Sequence, residues 1–242
     1  MRIAITLAYN GKEFFGSQIQ KETSQTVLGT FEKVLQKLGI NTKVIASGRT
    51  DRGVHASAQV VHVDLPHYWN DLHKLKRVLN TMLPTSLHVR SIKQVSQTFH
   101  ARYDATARVY RYLIKVGESN PFEADFITFV SQCDFDKIAK NIKLFEGVHN
   151  FSYFLKTGSD EKSPIREIYK AFAYRYKGII VLHFKANGFL RSQIRFMVAS
   201  LLHLDAFEIQ KKLTCKHNYK IKPAPPNGLY LAKIHYKKDK DV

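Results

Sequence analysis

In the stretch RVYRYLIKV, Arg108–Val116, aromatic and β-branched residues recur at every second position from Tyr110 to Val116. Tyr110, Tyr112 and Ile114 fall in this set, and successive side chains of a β-strand point to opposite faces of its sheet. A helix of this length would instead repeat its apolar positions every three or four residues. The stretch therefore predicts a β-strand, which we take as the opening of a second half of the chain.

Further strands are predicted where β-branched and aromatic residues cluster between turn residues. The longest such segment, IREIYKAFAYRYKGIIVLHFKA, is typical of two strands joined at Lys177 and Gly178. The remaining strands are expected at Ile3–Tyr9, Lys43–Ala46, Gln59–Val63 and Leu87–Val95, and in LYLAKIHY near the end of the sequence.

Apolar residues at helical spacing predict helices between these strands. They are expected at Val27–Leu38, Leu72–Met82, Ile138–Phe145 and Ile194–Leu202. Thr23 or Ser24 is available as the N-cap of the first helix, and Asn70 or Asp71 as that of the second. Each half of the chain thus interleaves strands with two helices.

This order of elements predicts an α+β fold made of two similar halves. We expect each half to be a mixed or antiparallel sheet with helices on one face, and the two sheets to join around a central basic cleft. The N-terminal half would span residues 1–105 and carry a candidate catalytic loop. The C-terminal half would span residues 106–242.

The charge of the chain is strongly positive. Its 38 Lys and Arg against 20 Asp and Glu give a formal net charge of +18, which favours a polyanionic partner such as nucleic acid. A membrane surface is the weaker option. No segment resembles a membrane-spanning helix either, since the longest apolar run, Gly178–Leu182, is far too short to span a bilayer.

The N-terminus reads as a strand rather than a signal peptide, and Cys133 and Cys215 form no CxxC pair. We therefore expect a cytoplasmic protein with reduced cysteines. No histidine and carboxylate spacing typical of a metal site is present. The sequence thus predicts neither a metal nor a small-molecule cofactor.

One loop combines glycines with opposite charges: SGRTDRG, which holds Arg49, Asp51 and Arg52 between Gly48 and Gly53. The glycines permit a ligand to lie directly on the backbone. Neighbouring positive charge favours the ionised carboxylate, so Asp51 would be a base or a nucleophile. The alternative is an ordinary tight loop, in which Asp51 caps backbone N–H groups and pairs with Arg49.

Two further stretches mix basic and aromatic residues. FHARYDATARVYRYLI places Tyr110 among arginines, as on surfaces that stack bases, although packing within a sheet explains the same tyrosine. ANGFLRSQIRFMVASLL is expected to put Arg191 and Arg195 at i and i+4 on one helix face. Arg195 adjoins the apolar stripe, a position that favours an anionic partner over simple solvation.

The motifs SGRTDRGVHA, FHARYDATARVYRY, EGVHNFSYF and KANGFLRSQIR follow one another along the chain. Together they resemble the TruA family of tRNA pseudouridine synthases in order and spacing, over nearly the whole sequence. Ser17 stands where the family commonly has tryptophan, Arg191-Ser192-Gln193 replaces its usual His and Met, and Ala199 replaces a glycine.

The resemblance implies an isomerase that converts uridine to pseudouridine without metal or cofactor. Asp51 matches the family's catalytic aspartate, and Arg49 the arginine before it. Tyr110 matches the tyrosine that stacks on the target uracil, and Arg195 the arginine that pairs with the aspartate. The resemblance further implies a homodimer that binds the anticodon arm of tRNA and modifies positions 38 to 40.

Two other classes of protein stay open on the residues alone. A non-catalytic RNA-binding protein or RNA chaperone would use the same basic and aromatic surfaces, and would then employ Asp51 only as a loop cap. A nuclease is disfavoured, because the sequence lacks the clustered carboxylates that hold catalytic metal ions.

Overall fold

A computed structural model describes residues 1–156, 158 and 163–237. The chain divides into two compact units: the first contains residues 1–106 and the chain from Tyr230 onward, and the second contains residues 107–229. The last strand therefore lies outside the half to which the sequence analysis assigned it. The reason is that this strand forms hydrogen bonds with a strand of the N-terminal half. The periodicity of a single segment does not reveal such a long-range pairing.

The helices and strands of the first unit are β1 (Arg2–Tyr9), α1 (Val27–Lys37), β2 (Ile45–Ala46), β3 (His55–Asp64), α2 (Leu72–Met82), β4 (Leu87–Gln94) and β10 (Leu229–His235). The order of its strands is β4, β1, β3 and β10, and the short β2 also pairs with β3. The pairs β1–β3 and β1–β4 are antiparallel, whereas β10 runs parallel to β3, with Tyr230 opposite His55. The sheet of this unit is therefore mixed.

The core of the first unit follows the predicted periodicities. On α1, Phe31 and Leu35 are 0% and 1% exposed, and on α2, Leu75 and Leu79 are fully buried. Burial of such a side chain contributes about 1.5–3 kcal/mol, so these two stripes hold the helices in place. The predicted helices are confirmed within a residue or two of their ends.

The N-cap of α1 differs from the prediction. Thr26 is the cap, and its Oγ1 accepts a hydrogen bond from Gly29 N at 3.1 Å. Thr23 instead closes a local turn, because its Oγ1 accepts from Gln25 N at 3.1 Å. On α2, Asp71 is the cap, as one of the two predicted candidates, and accepts from Lys74 N at 2.8 Å.

The second unit has strand order β5, β9, β8 and β7, with β6 parallel to β5. Its elements are β5 (Ala107–Val116), β6 (Thr128–Val130), α3 (Phe135–Asn141), β7 (Gly147–Asn150), β8 (Ile165–Tyr176), β9 (Ile179–Ala186), α4 (Gln193–His203) and α5 (Ala206–Leu213), with a 3-10 turn at Ile142–Phe145. The predicted turn between β8 and β9 is confirmed. Lys177 and Gly178 have φ of 49° and 77°, as a tight type I′ hairpin turn requires.

The predicted strand is confirmed as β5, with buried residues on both of its faces, since Val109 on the face opposite Tyr110 is 5% exposed. Tyr112 and Ile114 are fully buried, whereas Val116 at the end of the strand is 47% exposed. The predicted third helix is shorter than expected, because α3 passes into the 3-10 turn after Asn141.

Helix α5 was not predicted from the sequence. Its start is a capping box, in which Asp205 Oδ1 accepts from Glu208 N and Glu208 Oε2 accepts from Asp205 N.

Helices and sheets of mixed direction in each unit confirm the predicted α+β class. Over the described ranges, none of the helices is both long enough and apolar enough to cross a membrane.

Candidate active site

The loop that carries Arg49 and Asp51 connects β2 to β3 in the first unit. Ser47 N donates to Val60 O at 2.8 Å, and Gln59 Nε2 donates to Gly48 O at 2.9 Å, so the loop leaves β2 held against β3. The far end closes in a turn, where Val54 N donates to Asp51 O at 3.1 Å. The loop is thus mounted between two strands, as the strands expected at Lys43–Ala46 and Gln59–Val63 imply.

The two loop glycines serve different purposes. Gly53 has φ of 78°, a left-handed conformation that the turn requires. Gly48 is not among the residues with positive φ, and a Cβ built there meets nothing within 4 Å. Gly53 thus supplies a backbone conformation that favours glycine, whereas Gly48 leaves open space above the loop, as a ligand lying on the backbone would need.

Charged side chains of the loop differ in exposure. Arg49 and Arg52 are exposed, whereas Asp51 between them is half-buried. The guanidinium carbon of Arg52 lies 4.3 Å from the ring centre of Phe15, a cation–π contact that restrains its side chain. The loop thus presents one partly shielded carboxylate flanked by two accessible cations.

Buried polar side chains hold the loop from below. Thr50 is 7% exposed; its Oγ1 lies 2.8 Å from Tyr9 Oη, and its N–H donates to Ser17 Oγ at 2.8 Å. Burial raises the pKa of Tyr9 to about 12, so its hydroxyl keeps its proton at neutral pH. The sequence analysis did not find this support, because its members lie far apart along the chain.

His55, the first residue of β3, is a second residue that the sequence analysis did not single out. Its Nδ1 accepts a hydrogen bond from Gly11 N at 3.1 Å, and its ring stacks on Tyr230 with centres 4.7 Å apart. Burial raises the pKa of Tyr230 to about 12. The strand that follows the loop is therefore tied to both early and late segments of the unit.

Near the end of the first unit, the motif FHARYDA presents an exposed aromatic pair. The ring of Tyr103 is 77% exposed and stacks on His100 with centres 4.3 Å apart. Arg102 beside it is exposed as well. An aromatic ring exposed beside an arginine is typical of surfaces that stack bases and neutralise phosphates.

Tyr110 lies on β5 of the second unit, opposite Phe184 of β9. Its ring is half-buried and meets the ring of Phe189 edge to face, with centres 5.3 Å apart and an interplanar angle of 82°. Such a contact fixes the plane of the tyrosine ring while part of its surface stays accessible.

Arg195 lies in the first turn of α4 and is half-buried. Its Nε donates to Ala224 O at 2.6 Å, and Ala224 N donates back to Arg195 O at 3.0 Å. The next residue of that segment, Pro225, accepts from Tyr112 Oη at 2.8 Å. Burial raises the pKa of Tyr112, and the charge of Arg195 opposes that rise. The guanidinium is thus anchored beside the strand that carries Tyr110.

The expectation that Arg191 and Arg195 share a helix face is wrong. α4 begins at Gln193, and Ser192 before it has φ of 61°, so the helix cannot continue back to Arg191. The side chain of Gln193 folds over this end, where its Oε1 accepts from Leu190 N at 2.8 Å. Arg191 is an exposed loop residue.

The predicted site residues thus fall in two places. Arg49 and Asp51 share one loop of the first unit, whereas Tyr110 and Arg195 belong to the second unit. Within residues 1–156, 158 and 163–237, no group of three or more His, Cys, Asp or Glu side chains is arranged to hold a metal ion.

Two solved structures resemble the chain only loosely. One is a Cbf5-Nop10-Gar1 complex, with TM-score 0.38 and 15% identity over 83% of this chain and 45% of that one. The other is an archaeal box H/ACA sRNP Nop10-Cbf5 complex, with TM-score 0.39 and 12% identity over 98% of this chain and 49% of that one.

Sequence relatives match almost end to end. Proteins named tRNA pseudouridine synthase A are 40% identical in Wolinella succinogenes (95% of this chain, 92% of the relative) and 37% identical in Campylobacter jejuni strain RM1221 (98% and 100%). The relative in Helicobacter hepaticus is 35% identical (96% and 97%). The family model described as tRNA pseudouridine synthase matches residues 5–104 and 142–237. The chain belongs to the tRNA pseudouridine synthases of the TruA type, a family of isomerases.

Proposed function

We propose that the chain isomerises uridine to pseudouridine in the anticodon stem-loop of tRNA, at positions 38 to 40, with Asp51 as nucleophile or base. The observation that carries this proposal is the setting of Asp51. It is a half-buried carboxylate on a hydrogen-bonded loop, between exposed Arg49 and Arg52, in a chain of net charge +18. A negative charge on such a surface weakens RNA binding, which makes a purely binding role for it unfavourable.

The reaction rearranges bonds without gain or loss of atoms. The N1–C1′ bond of uridine breaks, the uracil turns over, C5 bonds to C1′, and the proton on C5 moves to the released N1. A carboxylate starts this sequence either by adding to the nucleoside or by removing a sugar proton. Asp51 is assigned that step, and Arg49 is assigned to orient the carboxylate.

The second unit supplies the other roles. Tyr110 is assigned to stack on the uracil, a role supported by its half-buried ring held edge to face by Phe189. Its hydroxyl would relay the C5 proton. Arg195, anchored through Nε to Ala224 O, is assigned to pair with the catalytic carboxylate. Because a stacked uridine hides its sugar, the target nucleotide has to be flipped out of the RNA before reaction.

Basic and aromatic side chains support binding of the anticodon arm. Exposed Arg102 and Tyr103, whose ring stacks on half-buried His100, are suited to phosphate and base contacts. We also propose a homodimer, on the strength of the family resemblance, and a cytoplasmic location, as expected from the sequence. Sedimentation equilibrium of the purified chain, with and without tRNA, tests the dimer.

The decisive experiment compares Asp51→Asn with Asp71→Asn. Each substitution removes one negative charge from the first unit, and asparagine still caps α2 at position 71. With tRNA carrying tritium at C5 of uridine, Asp51→Asn should release no tritium yet bind tRNA normally, whereas Asp71→Asn should match the parent chain. Persistent tritium release by Asp51→Asn would refute the catalytic role.

A further inference from the structure

Ser17 lies at a junction between α1 and the catalytic loop. Its side chain is 2% exposed. On one side, the first amides of α1 are satisfied by this segment, because Val27 N donates to Gly16 O at 3.2 Å and Leu28 N donates to Ser17 O at 3.0 Å. The start of a helix leaves such donors without partners inside the helix. Ser17 is thereby fixed to a rigid element.

On its other side, Ser17 engages both polar groups of one loop residue. Thr50 N donates to Ser17 Oγ at 2.8 Å, and Ser17 N donates to Thr50 O at 3.1 Å. The Ser17 hydroxyl also lies 3.5 Å from Thr50 O. The peptide groups on either side of the Thr50 Cα are therefore held, including the one that leads directly into Asp51.

The backbone before Ser17 packs directly against the loop. Gly16 has φ of 98°, and a Cβ built on it would lie 3.2 Å from Thr50 O and 3.5 Å from Arg52 N. A side chain at this position would thus be strained by the backbone conformation as well as crowded by the loop. The close approach brings Ser17 within hydrogen-bonding reach of Thr50.

The side chain of Thr50 is held by a third contact. Its Oγ1 lies 2.8 Å from Tyr9 Oη, and Tyr9 is 5% exposed on the last position of β1. The Tyr9 hydroxyl also interacts with the side chains of Gln59 and Ser17. Backbone and side chain of Thr50 are thus both fixed, one residue before the carboxylate.

We infer that Ser17 is a positioning residue for Asp51: its hydroxyl and amide clamp the Thr50 backbone and so set the direction in which the next side chain leaves the loop. Ser17 touches no reacting atom in this role. The inference rests on the proposed function of Asp51. Displacement of a reacting group by about 1 Å is enough to cost on the order of a hundredfold in rate, so a buried clamp of this kind affects chemistry more than binding.

The test separates chemistry from binding and from stability. Ser17→Ala removes the acceptor for Thr50 N, and Ser17→Thr keeps a hydroxyl. With enzyme in excess over saturating tRNA, Ser17→Ala should form pseudouridine about tenfold more slowly, with tRNA affinity within about twofold of the parent chain. Ser17→Thr should recover most of the rate.

Asn80→Ala provides a matched control. Asn80 clamps Val89 as Ser17 clamps Thr50: its Nδ2 donates to Val89 O at 3.0 Å, and its Oδ1 accepts from Val89 N at 2.7 Å. This clamp joins α2 to β4 instead of holding the loop. Asn80→Ala should lower the melting temperature, as Ser17→Ala should, without slowing the single-turnover rate of the folded protein.

Different results overturn different claims. A parent-like rate for Ser17→Ala, an equal loss in Asn80→Ala, or a loss confined to tRNA affinity would each overturn the positioning role. If Ser17→Ala does not fold, Tyr9→Phe tests the same clamp from the Thr50 side chain, and an unchanged rate there rejects it. An inactive parent chain, or an active Asp51→Asn variant, would instead overturn the proposed function itself.

Discussion

Arg195 and Ala224 are joined by hydrogen bonds in both directions, from Arg195 Nε to Ala224 O at 2.6 Å and from Ala224 N to Arg195 O at 3.0 Å. The first bond fixes the plane of the guanidinium, and the second fixes the backbone from which the side chain leaves. A guanidinium oriented in this way offers its remaining N–H groups in a set direction, which an ammonium on a flexible stem cannot do.

Arg195→Lys should therefore slow the chemical step although it keeps the charge. We expect the single-turnover rate to fall by about tenfold or more, with tRNA affinity within about threefold. Arg191→Lys is the matched control, because Arg191 is exposed and precedes the helix. Equal effects of the two substitutions would assign Arg195 a general electrostatic role only.

Tyr110→Phe should abolish most turnover while the fold stays intact. Phenylalanine preserves the edge-to-face contact with Phe189 but lacks the hydroxyl assigned to the C5 proton. A proton-transfer group contributes roughly 100-fold or more to a rate, which a tritium-release assay resolves. Tyr176→Phe, at a residue 59% exposed, should have the parent rate. Near-normal turnover of Tyr110→Phe would leave only its ring as functional.

The lowered pKa of His62 should reduce the free energy of unfolding in mild acid. Burial, helped by the nearby charges of Arg2 and His100, lowers the pKa of His62 to about 4, and its Nδ1 accepts a hydrogen bond from Ala101 N at 3.1 Å. The unfolded chain binds a proton near pH 6.5, whereas the folded chain resists it down to about 4. The contribution of His62 to stability is therefore present above pH 6.5 and is lost as the pH falls toward 4.

His62→Asn tests this expectation, since Asn Oδ1 can replace Nδ1 as the acceptor. Between pH 7 and pH 4.5, the free energy of unfolding in urea should fall by about 2 kcal/mol more in the parent chain than in the variant. If the free energy of unfolding changed with pH to the same extent in both proteins, the lowered pKa of His62 would be contradicted.

Lys212 should make the stability of the protein depend on pH in the alkaline range. It is 1% exposed; its Nζ donates to Tyr219 O at 3.1 Å and lies 4.9 Å from the ring centre of Phe154. Burial lowers its pKa from 10.5 to about 8. Between these values the unfolded chain binds the proton and the folded chain does not, so the stability of the parent chain should rise with pH.

Lys212→Met removes this titration while it retains the apolar stem. From pH 7.5 to pH 10, the free energy of unfolding of the parent chain should gain about 2 kcal/mol relative to the variant. A constant difference between the two proteins across that range would contradict the lowered pKa.

Local signals predicted the parts of the fold that depend on neighbouring residues. The turn at Lys177 and Gly178 follows from a pair that tolerates positive φ, and the strand at Arg108–Val116 from simple alternation. The capping box that opens α5 at Asp205 was equally local and was overlooked. By contrast, the N-cap of α1 was wrong because several hydroxyl residues precede the helix, and carbonyls of Gly16 and Ser17 select its first turn.

The residue types of the candidate site were predictable from the sequence, but the buried side chains that hold its loop in place were not. The loop around Asp51 was found from glycines and charges alone, and its mounting between β2 and β3 is confirmed. Ser17 drew notice only as a departure from the family, since its partner Thr50 lies 33 residues further along the chain. The expectation that Arg191 and Arg195 share a helix face failed because Ser192, in the left-handed conformation, precedes the helix and leaves Arg191 outside it.

The parallel pairing of Tyr230 with His55 has a consequence for biosynthesis. A ribosome has to translate all of residues 107–229 before the strand that completes the first unit leaves the exit tunnel. Nascent chains released before that point would present the edge of β3 without its neighbour, a state prone to aggregation. Completion of the first unit is thereby postponed until the second unit has been translated.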